Sequence, residues 1–320
     1  MKEVVVSGGA GLIGSHLVDL LLEKGHHVIC FDNLITGSQE NIDVLSKNPL
    51  FTFIHHDVIN KLPEIAGNID WVFHLASPAS PNHKSPISYH SLPMETMMVN
   101  TSGTKNMLEL AHSHKARFLF ASTSEVYGDP LEHPQKETYN GNVTPNGPRS
   151  IYDEAKRFGE TLTSYFVRDK HLDGRIVRIF NTYGPRMRID DQRMIVNFIL
   201  QALNNEDVTI YGDGSQTRSL SYVKDTAQGL VNFMETDGLE GEIINIGAQS
   251  EHTVKEFAEM VIRLTNSSSK ITFDDKVKDD PQKRKPDISK AKQVLNWEPS
   301  TTLEQGLIEM IAYYKSLKTI

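Results

Sequence analysis

The chain has 320 residues, 38% hydrophobic and 23% charged, a balance that suits one large globular α/β unit or two fused lobes. Its net charge of −8 argues against a nucleic-acid or anionic-membrane surface, and its single cysteine, Cys30, excludes an internal disulfide and fits a reducing compartment. The longest apolar runs, such as Ile195 to Leu203, fall far short of the ~20 residues that a membrane-spanning helix takes.

The first predicted strand, Glu3–Ser7, begins almost at once, so no signal peptide is expected and a cytoplasmic location follows as an expectation. The strand runs into Gly8-Gly9-Ala10-Gly11-Leu12-Ile13-Gly14, in which Gly9, Gly11 and Gly14 fit the dinucleotide fingerprint. Such glycines allow a tight turn and let a pyrophosphate sit on the N-terminus of the helix predicted over 12–24. A second strand, His27–Phe31, carries Cys30 as a buried small hydrophobe and ends in Asp32, eighteen residues after Gly14. An acidic side chain there suits the ribose hydroxyls of NAD. Asn33 follows, and no Arg or Lys appears before Lys47 to meet a 2′-phosphate, so the expected cofactor is NAD rather than NADP.

Further strands are predicted at 51–55, 71–76, 117–122 and 175–180, with helices near 94–114 and 150–170. This alternation predicts a doubly wound parallel sheet, a Rossmann α/β fold. The strand from Trp71 is nearly all apolar, as a strand buried on both faces should be. Asp57, closing the third strand, is placed to meet an adenine ring, although a turn aspartate reads the same. Beyond Phe180 come a helix near 193–204, a strand Val208–Tyr211, a helix near 222–236 and a strand Glu242–Ile246 able to rejoin the main sheet. The charged run 279–286 reads by composition as a solvated loop. The expected division is an NAD-binding domain, 1–180 and 222–247, and a smaller mixed α/β lobe, 181–221 and 248–320. No metal site is expected.

Two segments carry chemistry. Tyr152 and Lys156 stand four apart on a predicted helix and therefore share a face. A tyrosine is a poor base near neutrality, and an ammonium one turn away favours its phenolate. The pair can then take the proton from a sugar hydroxyl. Ser122-Thr123-Ser124-Glu125-Val126-Tyr127-Gly128 follows the fifth strand, where ligands of such sheets bind. Thr123 can hydrogen-bond the reacting hydroxyl and Glu125 can serve proton traffic at a neighbouring carbon. Turn capping by Thr123 and a solvated Glu125 read the same segment without chemistry.

The glycine turn, Ser122 to Gly128, Tyr152-x-x-x-Lys156 and Arg178-Ile179-Phe180-Asn181-Thr182-Tyr183-Gly184-Pro185-Arg186 together resemble the extended short-chain dehydrogenase/reductases that modify nucleotide sugars. Within them the likeness is greatest to the UDP-glucuronate decarboxylases, over nearly the whole chain. The resemblance implies a cofactor site at Gly8, Gly11, Leu12, Ile13, Asp32, Asn33, Thr36, Gly37, Asp57, Val58, Leu75, Ser77, Tyr152 and Lys156. It implies catalytic roles for Thr123, Glu125, Tyr152 and Lys156. It makes Asn181 and Arg218 diphosphate ligands, Tyr211 a uracil contact, Arg284 a contact to ribose and phosphate, and Arg193 and Gln216 further nucleotide-side residues. The implied reaction oxidises C4 of UDP-glucuronate, releases CO2 from the resulting β-keto acid and reduces C4 again, giving UDP-xylose. Helices 94–114 and 150–170, with Met94, Met97, Met98, Met107 and Phe158, are the implied interface of a homodimer.

The sequence departs from that group at two places. Between Pro81 and Tyr89 it is about five residues longer. Met98 stands two residues before Asn100, where the group tends to carry lysine. Losing a cation disfavours an anionic sugar, leaving Arg149, Arg193, Arg218 and Lys84 to replace it. The alternative is therefore a neutral or N-acetylated 4-keto UDP-hexose undergoing C5 epimerisation or a dehydratase-type step. A non-catalytic NAD-sensing protein is the third reading, against which Thr123, Tyr152 and Lys156 stand intact.

Overall fold

The computed structural model describes residues 1–275 and 284–317. In chain order the first half holds β1 (Glu3–Ser7), α1 (Leu12–Glu23), β2 (His27–Asp32), α2 (Gln39–Leu45), β3 (Phe51–His55), β4 (Trp71–His74), α3 (Pro93–Met98), α4 (Thr104–His114) and β5 (Arg117–Thr123). Then come α5 (Ser150–Lys170), β6 (Gly174–Ile179), β7 (Thr182–Tyr183), α6 (Met194–Leu203), β8 (Val208–Tyr211), β9 (Thr217–Arg218) and β10 (Ser221–Tyr222). The chain continues with α7 (Val223–Glu235), β11 (Ile243–Ile246), β12 (His252–Thr253), α8 (Val254–Thr265), β13 (Ile271–Asp274), α9 (Ser289–Leu295) and α10 (Leu303–Ser316).

Seven strands form one parallel sheet in the order β11-β6-β5-β4-β1-β2-β3. β-Branched and aromatic runs such as Val4-Val5-Val6 and Trp71-Val72-Phe73 are buried throughout, because helices cover both faces. One face packs α1 and α7 around Leu17, Leu21, Leu230 and Phe233; the other packs α4 and α5 around Leu108, Phe118 and Phe166. A further core gathers α6, α8 and α10 around Phe198, Phe257, Met310 and Tyr314. The sheet order reverses between β1 and β4, so a crevice opens at the carboxyl ends of these strands.

Several expectations need correction. The strand from Trp71 ends at His74, because the chain turns beneath the glycine loop, where Ala76 lies against Gly8. The helix expected over 94–114 is interrupted by a wider π-type turn at Val99–Gly103. Helix α9 was expected in the second lobe, but Ala291, Leu295 and Trp297 pack into the first core beside Leu230 and Ile246. Met107 is wholly buried in the core and offers nothing to a partner. Residues 279–283 of the charged run lie outside the described residues.

The end of β4 also carries a buried histidine. His74 Nδ1 lies 2.6 Å from Ser7 Oγ, and Nε2 lies 3.1 Å from Thr104 Oγ1. Burial, then the nearby Lys156 charge, lowers its pKa to about 3. Between that value and 6.5 the unfolded chain binds a proton that the folded chain refuses. Stability therefore rises with pH across this window and falls on acidification, by about 1.4 kcal/mol per pH unit at full effect. Urea midpoints measured at pH 7 and pH 5 should drop accordingly, and His74→Asn should flatten the slope by about one such unit.

Candidate active site

The glycine turn forms because its residues can adopt what side chains cannot. Gly8 has φ +81°, and a Cβ there would lie 2.6 Å from the Ala76 nitrogen. A Cβ on Gly14 would collide with the Gly8 carbonyl. With both absent, α1 starts directly over the end of β1, and the Ser15 N–H donates to the Gly11 carbonyl at 3.0 Å. At the end of β2, buried Asp32 accepts from the Ala10 N–H at 2.9 Å and the Leu34 N–H at 2.8 Å. Burial raises its pKa, while those two backbone bonds pull it down. Asn33 donates to Asp57 at 2.9 Å, tying the ends of β2 and β3 together.

One cavity runs from this turn along the carboxyl ends of the strands to the chain after β6. Every residue expected on the cofactor side lines it: Gly8, Gly11, Leu12, Ile13, Asp32, Asn33, Thr36, Gly37, Asp57, Val58, Leu75, Ser77, Tyr152 and Lys156. The bare glycine cradle and the buried carboxylate at the end of β2 fit a dinucleotide. Thr123, Glu125, Asn181 and Arg193 share the same wall. Tyr211, Gln216, Arg218 and Arg284 lie beyond it. Gln216 donates to the Tyr211 carbonyl at 2.9 Å, and Arg218 pairs through β9 with His252 of β12.

The sequence did not single out several lining residues. Arg188 donates to the Gly37 carbonyl at 2.9 Å and is paired with Asp190. Tyr89 is buried and stacks face to face on Tyr152, with ring centroids 5.1 Å apart. Among the described residues its buried hydroxyl has no hydrogen-bond partner. Glu95 and Val99, one helical turn apart, supply the wall from α3 and the turn after it, so Met98 points away and is 37% exposed. The expectation that Met98 stands at the sugar is thereby corrected.

At the chemical end, Lys156 is buried and donates to the Ala121 carbonyl at 2.7 Å, with its ammonium 5.7 Å from the Tyr152 ring centre. Burial lowers its pKa to about 7, against the pull of Glu160. Burial pushes the Tyr152 phenol upward, and the Thr123 hydroxyl counters it. The Thr123 hydroxyl also accepts the Glu125 N–H at 3.2 Å, the turn-capping bond that the sequence allowed. Glu125 does not stand in solvent. It is paired with both Arg149 and Arg284, and although burial opposes ionisation the two guanidiniums hold its pKa down at about 2. Asp153, buried next to these groups, is pushed the other way, to about 7, by burial and then by the Glu125 charge.

A tyrosine beside a buried lysine at the wall of this cavity, with Thr and Glu from the neighbouring strand end, resembles the arrangement of the extended short-chain dehydrogenase/reductases. The chain belongs to the GDP-mannose 4,6 dehydratase family, whose model matches residues 5–310. It is 50% identical to UDP-glucuronic acid decarboxylase 1 of Arabidopsis thaliana, over 98% of this chain and 70% of that one. Among solved structures it resembles UDP-N-acetylglucosamine 4-epimerase of Methanobrevibacter ruminantium in complex with UDP-N-acetylmuramic acid, with TM-score 0.88, 30% identity and 98% of each chain covered. It also resembles UDP-glucuronic acid 4-epimerase of Bacillus cereus in complex with UDP-glucuronic acid and NAD, with TM-score 0.83, 30% identity, and 98% and 99% covered.

Proposed function

We propose that this chain decarboxylates UDP-glucuronate to UDP-xylose, using bound NAD that is regenerated within each turnover. The carrying observation is the level of likeness. Identity to a decarboxylase is 50% over nearly the whole chain, whereas the epimerases of the same fold share 30%. The catalytic end is compatible with the reading, since Arg149 and Arg284 share one carboxylate, Glu125, and leave a net positive charge behind the wall that Thr123 and Glu125 form. Met98, which favoured a neutral sugar, faces away from the cavity.

The glycine turn, Asp32, Asn33, Asp57 and Ser77 would hold NAD, which when bound takes a hydride from C4 of the sugar and later returns it. Tyr152 takes the C4 hydroxyl proton and gives it back when C4 is reduced again. Lys156 supports the phenolate when charged, and Thr123 orients the hydroxyl. The 4-keto sugar is then a β-keto acid that loses CO2. Loss of CO2 leaves an enolate whose C5 gains a proton from water relayed through Glu125, which is ionised at rest between its two arginines. In this reading Asn181 and Arg218 bind the diphosphate, Tyr211 meets the uracil and Arg284 the ribose and phosphate, with Arg193 and Gln216 as further nucleotide-side contacts. Incubation with UDP-glucuronate should release CO2 and yield UDP-xylose. Equal affinity for UDP-glucuronate and UDP-glucose with no CO2 would transfer the assignment to a neutral UDP-hexose.

The protein acts as a homodimer in this reading. Met94, Met98, Phe158 and Tyr165 are 58%, 37%, 48% and 41% exposed on α3 and α5, an apolar patch suited to an isologous contact. Light scattering should give a dimer for the native chain and a monomer for Phe158→Glu, which buries a charge at the pair's centre. A native monomer at micromolar concentration would refute the pairing. No helix of the described residues is long and apolar enough to cross a membrane.

A further inference from the structure

The extra length between Pro81 and Tyr89 is tied to the turn after β7. Ser80 Oγ donates to Asp191 Oδ1 at 2.9 Å, Asn82 Nδ2 to the Gln192 carbonyl at 2.7 Å, and Ser85 Oγ to the Asp190 carbonyl at 2.6 Å. Asn82 also accepts the Lys84 N–H at 2.9 Å, so the backbone of Lys84 is pinned on both sides. Its side chain is exposed, and its ammonium lies 5.7 Å from the ring centre of Tyr211, the residue expected on the uracil side. Among the described residues Lys84 makes no ion pair. By contrast, Arg193 is engaged by Asp191, and Arg149 and Arg284 by Glu125.

We infer that Lys84 is a nucleotide-binding residue added to the site by this loop, its ammonium binding the diphosphate of the substrate's nucleoside diphosphate next to Tyr211. The inference rests on the reading of the cavity as a UDP-sugar site. A cation over a half-exposed ring is weakly held, whereas an ammonium on a phosphate gains a charge-assisted hydrogen bond. Four methylenes let the head group leave the ring while the pinned backbone stays in place. The loop thus carries a positive charge with no ion-pair partner among the described residues to Tyr211, whereas Arg149, Arg193 and Arg284 are engaged by carboxylates. The same bonds to residues 190–192 hold the turn that presents Arg193, so loop and turn approach the nucleotide as one unit.

Calorimetric titration of the purified holoenzyme with UDP and with uridine tests this in the native chain, Lys84→Met and Lys84→Arg. The expected result is about tenfold weaker UDP binding in Lys84→Met, unchanged uridine binding, and recovery of UDP binding in Lys84→Arg. The UDP difference should shrink as salt is added, since the contact is exposed. Unchanged UDP affinity in Lys84→Met overturns the assignment. So does an equal loss for UDP and uridine, which would mark loop packing rather than charge. A native protein that binds no UDP would instead overturn the UDP-sugar reading, and this assignment with it.

Discussion

Tyr152→Phe is expected to lower CO2 release from UDP-glucuronate by about 10²–10⁴-fold while UDP binding survives, because only the proton acceptor is lost. The structure makes this a clean substitution. Tyr152 is buried and stacked on Tyr89, and phenylalanine keeps the ring and that stack. The phenol itself is not a ready base at rest, since burial pushes its pKa up and Thr123 only partly counters this. Lys156, whose burial lowers its pKa to about 7, is poised between charged and neutral. In the proposed mechanism an ammonium one turn away favours the phenolate, so Lys156→Met should lose activity comparably. The two substitutions differ in stability. Burying Lys156 depresses its folded pKa, so between about 7 and 10.5 the unfolded chain binds the extra proton and the native lysine destabilises the fold at neutral pH. Lys156→Met should therefore raise the melting temperature of cofactor-free protein, and Tyr152→Phe should not. Retention of more than a few per cent of turnover by Tyr152→Phe would remove Tyr152 from the mechanism.

Local pattern made the sheet legible. β-Branched and aromatic runs marked β1, β3 and β8 to the residue, and Ile243–Ile246 rejoined the sheet beside β6 as its apolar character implied. The cofactor wall was legible for a related reason. Glycine spacing, an acidic strand end and the strand-end loops are fixed by neighbours in sequence, and topology carries them all to one crevice. The second lobe was less legible because its helices α8 and α10 have no such signature, although each begins with a capping box, at Thr253 and Thr302. Least legible were pairings made across the chain. Glu125 meets Arg149 at a separation of 24 residues and Arg284 at 159, so nothing local marked Glu125 as a bridged carboxylate. Tyr89 was an ordinary tyrosine after an extra loop until packing set its ring on Tyr152. Met98 erred for the opposite reason. Proximity in sequence to Asn100 placed it at the sugar, but the helical period hands that wall to Glu95 and Val99.

The bridged carboxylate carries the other large expected effect. Glu125→Ala leaves Arg149 and Arg284 without their common partner, and breaking a buried pair in this way costs about 3–5 kcal/mol. Chemical denaturation at pH 7 should show that loss. The sign with pH is fixed by the direction of the shift. The folded pKa of Glu125 lies at about 2, below its ordinary value of 4.5, so its contribution is complete above 4.5 and disappears as pH falls toward 2. The stability gap between native chain and Glu125→Ala should accordingly narrow on acidification, and a gap that widened would place the arginines' partner elsewhere. Glu125→Gln separates this structural role from the chemical one. The amide keeps the shape and one acceptor for a guanidinium but cannot carry a proton between water and C5. It should therefore retain more stability than the alanine variant while CO2 release falls by about 10²-fold or more. If Glu125→Gln instead turned over as the native chain does, the carboxylate would serve only to hold Arg149 and Arg284, and the proton at C5 would have to come from water ordered by those arginines.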